Sequence, residues 1–211
     1  MERCVVVGGA DIGDYERIRS YLNDDDYVVY CDSGLRHMKG LGKDPSLIVG
    51  DWDSYEDPHL DVETITLPVE KDDTDTVFAV REGMKRGFKD YLLLGSIGAR
   101  FDHSLVNSFI LTTLENRGCH GIIVDDYSEM QIISGGSSQT GVTYVDESCS
   151  FFSLVAMEGT AHGVSISGAK FNLEDADVGP DYQYATSNEV MPGKAAEIRI
   201  KEGRLLLIKI V

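Results

Sequence analysis

The chain has 211 residues, and 36 acidic side chains against 19 basic ones leave a formal charge of −17. A hydrophobic share of 42% supports a folded core and excludes a disordered acidic tail as the whole molecule. So large an acid excess argues against neutralising a nucleic-acid backbone or lying on an anionic membrane, and neither is an expected partner.

The length suits one large domain or two small ones. Residues 5–7 read as a buried strand ending in Gly8-Gly9, and residues 15–22 have helical spacing with Asp14 as N-cap. Short strands follow at 27–30, 47–49 and 64–67, running into Asp32-Ser33-Gly34, Gly50-Asp51 and Pro68. A helix over 73–85 puts Val77, Val80 and Met84 on one face. An apolar strand over 91–94 ends in Gly95. A helix over 102–116 turns Leu105, Phe109 and Leu114 toward a core, and a strand occupies 122–124. Continuous apolar strands between helices predict an α/β domain over residues 1–126, with a mainly parallel, Rossmann-like sheet covered on both faces. After Asp126 helical periodicity nearly vanishes. Segments 130–133, 143–145, 151–155, 163–166, 198–200 and 205–210 alternate or run short between Gly, Ser and Asp. They predict an all-β domain over residues 127–211, a sandwich or partial barrel.

Cys4, Cys31, Cys119 and Cys149 form no CxxC, so reduced, buried thiols are expected. The apolar run at 5–7 is too short for a signal-peptide core, and no stretch approaches a transmembrane length. A soluble cytoplasmic protein is the expectation.

Ligands of an open α/β sheet bind beyond the C-terminal ends of its strands. The residues there are Gly8-Gly9-Ala10-Asp11, Asp32-Ser33-Gly34, Gly50-Asp51-Trp52-Asp53-Ser54, residues 70–75 and residues 95–103. Gly and Asp are turn formers, so one such loop has a structural explanation; five at one sheet edge point to a shared site. Asp51 and Asp53, one residue apart at a strand end, project to the same side and suit a hard divalent cation. Glu70-Lys71-Asp72-Asp73-Thr74-Asp75 sits at a helix start, where capping and the helix dipole already explain Asp73. Asp75 has a second reading, facing the metal with Asp51 and Asp53. Lys71 is either a solvated lysine or a phosphate partner. In Gly95-Ser96-Ile97-Gly98-Ala99-Arg100-Phe101-Asp102-His103, the glycines admit an anion to backbone N–H groups, and Arg100 offers a planar fork for phosphate. Asp102 and His103 also read as helix caps, and His103 is placed with structural histidines. Asn107, one turn on, supports the loop. These are parts for phosphoryl-type transfer, yet neither a P-loop nor a GxGxxG is present, and nothing recommends covalent catalysis.

Asp32-Ser33-Gly34, Pro45-Ser46-Leu47-Ile48-Val49-Gly50-Asp51-Trp52-Asp53-Ser54, Lys71-Asp72-Asp73-Thr74-Asp75, the 95–103 segment and Ser187-Asn188-Glu189 stand in the order seen in thiamine pyrophosphokinases. The chain resembles that family over nearly its whole length. The resemblance implies an α/β nucleotide- and metal-binding catalytic domain and a β-sandwich domain for thiamine binding and dimerisation. It implies a homodimer, with thiamine between the sandwich of one subunit and the α/β domain of the other. The implied reaction transfers diphosphate from ATP to the hydroxyethyl oxygen of thiamine, giving thiamine diphosphate and AMP. Carried over by motif, Asp51, Asp53 and Asp75 are Mg2+ ligands. Asp32, Ser33, Gly34, Lys71, Gly98 and Arg100 fall on the nucleotide and phosphates, Asp102 beside the reacting groups, and Ser187 on the thiamine side. Asp102 is the first choice of base and Asp72 the second, with Arg100 at the reacting phosphate.

Ala99 stands where the family has a second glycine, and Trp52 where it has Phe. Residues 179–185 match no pattern, and Tyr182 or Tyr184 is either an exposed loop residue or a platform for the thiamine pyrimidine. The rivals are a pyrophosphokinase for another hydroxymethyl heterocycle, such as a pterin, and a non-enzymatic, metal-dependent nucleotide-binding protein. Ten of the 36 acids lie within residues 51–75, framing the expected metal site.

Overall fold

The computed structural model describes residues 3–51, 60–68, 74–136 and 139–211. The chain divides into two compact units, Met1–Asp126 and Tyr127–Val211.

The first unit carries six strands: β1 (Cys4–Val7), β2 (Tyr27–Cys31), β3 (Leu47–Gly50), β4 (Thr64–Thr66), β5 (Asp90–Leu94) and β6 (His120–Val124). They lie in the order β4-β3-β2-β1-β5-β6, every neighbouring pair parallel. All four residues of β1 are buried, as a strand covered on both faces requires, and Val5 sits opposite Val28 and Leu92. The helices are α1 (Tyr15–Arg19), α2 (Met38–Leu41), α3 (Asp75–Lys85) and α4 (Phe101–Asn116). Ile18 of α1 and Leu41 of α2 join Val5, Val7, Tyr30, Ile48 and Leu92 in one core. On the opposite face α3 comes so near the sheet that a Cβ on Gly83 would stand 3.0 Å from the Tyr91 ring. The chain steps from β1 outward to β4 and then returns to β5 on the other side of β1. The gap between β1 and β5 is therefore the topological switch point, where ligands of such sheets bind.

Several local expectations are corrected. The first helix ends at Arg19 rather than 22, because Ser20 Oγ turns back on the Arg17 carbonyl at 2.6 Å and competes with the helical ladder. Its cap is as expected: the Asp14 side chain accepts from Arg17 N at 3.0 Å. Asp32-Ser33-Gly34, expected to be loop, open a tight 3₁₀ turn over Asp32–His37 that runs into α2 and stops at Gly42, whose φ is +67°. α3 starts at Asp75, with Thr74 accepting from Val77 N at 3.2 Å as its cap; Asp73 lies outside the described residues. Its inward line is Thr76, Ala79, Val80 and Gly83, so of the expected face only Val80 is fully buried. In α4 Leu114 is buried, but Leu105 and Phe109 are exposed. The inward stripe is Ser104, Asn107, Ile110, Leu111 and Leu114; its polar end holds loop backbone, so the apolar pattern alone misphased the helix.

The second unit has seven strands: β7 (Ser128–Gly135), β8 (Gly141–Val145), β9 (Phe151–Val155), β10 (Ala161–Ser167), β11 (Leu173–Val178), β12 (Ala196–Ile200) and β13 (Gly203–Ile210). Within it β7-β13-β9 and β11-β10-β12-β8 form two antiparallel sheets. Ile133, Phe152, Leu154, Leu205 and Leu207 of the first share one core with Val145, Val164, Ile166, Val178, Ile198 and Ile200 of the second. β11 was not anticipated. Its sequence, Leu-Glu-Asp-Ala-Asp-Val, is poor in strand formers, but it lies at the edge of its sheet, where charges discourage pairing with other chains. All four cysteines are free and buried. Among the described residues no helix is long and apolar enough to cross a membrane.

Candidate active site

Three loops meet at the C-terminal ends of β1, β2 and β5, and glycines let them meet. A Cβ on Gly34 would collide with the Val7 carbonyl, and one on Gly8 would lie 2.6 Å from the Gly95 carbonyl oxygen. Gly8 N donates to the Leu94 carbonyl and Ala10 N to the Gly95 carbonyl, each at 2.8 Å, which ties the β1 loop to the β5 loop. Asp32, the first residue past β2, is 5% exposed and holds φ at +42°, a left-handed conformation that an aspartate adopts at a cost.

Two adjoining cavities open at this edge. One, of about 340 Å3, is lined by Asp32, Asp51 and Asp75 with Cys31 and Thr74. The other, of about 350 Å3, is lined by Ala10, Asp11, Arg36, Ser96, Gly98, Ala99, Ser104 and Asn107. Gly9, Ser33, Thr76, Arg100 and His103 wall both. Each volume is in the range of a small-molecule site. The structure thus gathers Asp32, Ser33, Asp51, Asp75, Gly98 and Arg100 at one edge, with Gly34 in the turn behind Ser33. Asp53, Lys71, Asp72 and Trp52 lie outside the described residues. Among the described residues no group of three His, Cys, Asp or Glu side chains is arranged to hold a metal.

Arg100 and Asp102 form a two-pronged pair, Nε to Oδ1 at 3.0 Å and Nη2 to Oδ2 at 2.7 Å. The hydrogen-bonded guanidinium holds the Asp102 carboxyl down to about 2. Neither Asp102 nor His103 caps α4: the cap position is Arg100, and Ser104 Oγ closes the first turn by accepting from Gly98 N at 2.9 Å. His103 is not a hydrogen-bonded core residue; it is half exposed and faces both cavities. Asn107 supports the loop, donating to the Ser96 carbonyl at 2.8 Å. Burial pushes the Cys31 thiol well up, so it is no thiolate nucleophile at neutral pH.

Ser187 belongs to the second unit, with φ at +54° and its N–H donating to Ser153 Oγ at 3.0 Å. The next residue, Asn188, is buried and clasps Phe171 through both backbone groups, Nδ2 to O at 2.7 Å and N to Oδ1 at 3.0 Å. A cavity of about 40 Å3 lies here, among Phe171, Leu173, Tyr184 and Asn188. Tyr182 and Tyr184 are exposed, with ring centroids 4.9 Å apart and planes tilted by 37°, and Tyr184 also donates to the Asp177 carbonyl at 2.7 Å.

Arg36, Thr76 and Ser104 line the cavities without having been singled out. The turn after β2 returns Arg36 to the site, and no periodicity marks a 3₁₀ turn. Thr76 follows directly on the acidic cluster, in the first turn of α3, and that position was its only signal.

A switch-point site of this kind, acidic on one side and glycine-lined on the other, defines a ligand-binding α/β protein. The family model for the thiamin pyrophosphokinase catalytic domain matches residues 18–123, and that for the thiamin pyrophosphokinase vitamin B1 binding domain matches residues 143–205. The chain belongs to the thiamin pyrophosphokinase family, the thiamine diphosphokinase enzymes. Among solved structures it is similar to thiamine pyrophosphokinase from Bacillus subtilis, at 20% identity and a TM-score of 0.85, covering 100% of this chain and 99% of that one. The enzyme from Geobacillus thermodenitrificans gives 23% identity and 0.81, covering 100% and 98%. Thiamin pyrophosphokinase from Candida albicans gives 12% and 0.76, covering 100% and 89%. At these identities the likeness is one of fold. No curated protein matches the sequence.

Proposed function

We propose that this enzyme transfers the β,γ-diphosphate of ATP to the hydroxyethyl oxygen of thiamine, releasing thiamine diphosphate and AMP, with Mg2+ as the cation. The adjoining cavities at the switch point carry the reading. The acidic one suits a cation-bound triphosphate and the glycine-lined one a nucleoside. Asp51 and Asp75 line the same cavity and offer hard oxygen donors. Mg2+ takes one or two carboxylates and fills its shell with water and phosphate oxygens, so these two fit it, with Asp53 as the third ligand. The bound ion would offset phosphate charge.

The side chains do the rest. Arg100 and Lys71 pair with phosphate oxygens, while Asp32, Ser33, Gly34 and Gly98 hold the nucleotide. In the free enzyme Arg100 occupies Asp102. A phosphate that competes for the guanidinium releases the carboxylate, whose proton affinity then rises toward what a base needs. Asp102 accepts the hydroxyl proton as oxygen attacks phosphorus and AMP leaves, with Asp72 the second choice. Most of the acceleration comes from positioning and charge neutralisation.

Thiamine meets the second unit at Ser187. The cavity of about 40 Å3 there receives an edge of a ring rather than a whole ligand, which supports a site completed by another surface. Phe101, Leu105, Val106 and Phe109 expose apolar area on α4, as a permanent interface would cover. Both support the homodimer. Free, buried thiols and the use of ATP support the cytoplasm as its location.

Incubation with ATP, Mg2+ and thiamine tests the reading: AMP and thiamine diphosphate are expected in equal amounts. Turnover only with a pterin-type alcohol would overturn it. Asp53→Ala is expected to abolish turnover with the melting temperature unchanged; near-normal turnover at saturating Mg2+ would remove the metal assignment.

A further inference from the structure

The His37 ring is 2% exposed and engaged at both nitrogens. Nδ1 lies 2.7 Å from the Tyr15 hydroxyl and Nε2 lies 2.8 Å from the Ala10 carbonyl oxygen. Arg36 Nε also lies 3.3 Å from Nε2. A carbonyl only accepts, so the shorter contact to Ala10 requires the proton on Nε2, and Nδ1 then accepts from Tyr15. Beside it, Arg36 Nη2 donates to the Gly9 carbonyl and to Asp11 Oδ1, the latter at 2.7 Å. Two successive carbonyls of the β1 loop are thus held by side chains of the turn after β2.

In a trans peptide the carbonyl and the following N–H point in opposite directions. The Gly9 carbonyl is drawn to Arg36, and Ala10 N–H accordingly reaches the other way, to the Gly95 carbonyl at 2.8 Å. By the same rule the Ala10 carbonyl, drawn to His37, turns Asp11 N–H away from His37. Ala10 and Asp11 wall the cavity of about 350 Å3. So does Gly98, whose Cβ position lies 3.9 Å from Asp11 N.

We propose that His37, fixed by Tyr15, is a positioning residue for the nucleotide: it holds the Ala10 carbonyl off the cavity and so presents Asp11 N–H to the nucleotide's oxygen atoms. The inference rests on the nucleotide reading of that cavity. Without His37 the Ala10 peptide can turn, and a turned peptide meets a phosphate or ribose oxygen with a carbonyl where a donor had stood.

Calorimetric titration of the full chain with ATP and Mg2+, and separately with thiamine, tests this on H37L, H37Q and Y15F. Gln keeps a donor within reach of the Ala10 carbonyl and so separates the hydrogen bond from bulk. H37L is expected to raise the nucleotide Kd about 5- to 150-fold, the range for one lost hydrogen bond with an unmatched partner. H37Q is expected within about threefold of wild type, and Y15F between the two. Thiamine binding is expected to stay unchanged. Y15F removes a single hydroxyl and reports even where H37L does not fold. An unchanged nucleotide Kd in H37L or Y15F, an H37Q as weak as H37L, or an equal loss of thiamine binding would overturn the inference. Wild type that takes up no ATP would sink the nucleotide reading itself; wild type that binds while H37L binds as tightly sinks this inference alone.

Discussion

Arg100 and Asp102 face solvent and hold each other, so the pair adds little to stability, and the role proposed for it is catalytic. Arg100→Gln is expected to lower kcat by about 10²- to 10³-fold, the usual scale for one charge-stabilising donor, with the melting temperature nearly unchanged. The same substitution lets the Asp102 carboxyl rise from about 2 toward its ordinary 3.8, which a carbon-13 titration of the carboxyl reads directly. His37 is shifted in the same direction, by burial rather than by a charged partner. Burial lowers its pKa from the ordinary 6.5, so below that value the unfolded chain binds a proton that the native state resists. Its contribution to stability is unchanged above pH 6.5 and declines as pH falls below it. His37→Gln is expected to flatten that part of the melting-temperature profile, and an unaltered slope would count against a buried, neutral imidazole. Asp32, Asp51 and Asp75 were legible in the sequence because each follows a short apolar strand or opens a helix, and an open α/β sheet puts those places at one edge. Arg36 was not, because the turn that returns it to the cavity follows no hydrophobic period.

The start of α3 places Asp75 and Thr76 against the cavities, and Thr74 caps that start. Thr74→Ala is expected to cost about 1 kcal/mol in denaturant unfolding and, if Asp75 acts as proposed, to raise the KM for ATP, because the first turn that carries it frays. Strands buried on both faces were the most legible elements: β1, β2, β3 and β5 announce themselves as apolar runs. The failures have particular causes. β11 is an acidic edge strand held by one neighbour, β10, so little in its residues asks for a strand. In α4 the inward stripe includes Ser104 and Asn107, which serve the loop rather than the core, so the apolar residues alone pointed to a rotated face. Leu111→Ala, at a fully buried position on that stripe, is expected to cost about 2–5 kcal/mol, whereas Leu105→Ala on the exposed side should cost little.

At the scale of the whole molecule, the charge of −17 first argued against an anion binder. It agrees with the proposed reaction once a divalent cation, Lys71 and Arg100 stand between the protein and the phosphates. The acceptor, thiamine, carries a positive thiazolium ring, which an acidic surface attracts. Its kcat/KM is therefore expected to fall as ionic strength rises from low to physiological values, in stopped-flow measurements at fixed Mg2+. A flat salt profile would remove steering from the account. The central claim is that two phosphoryl groups move together. Phosphorus-31 NMR of a reaction containing enzyme, ATP, Mg2+ and thiamine reads it directly. The account predicts that the AMP singlet and the paired doublets of thiamine diphosphate grow at equal rates while ATP declines; ADP accumulating beside thiamine monophosphate would contradict it.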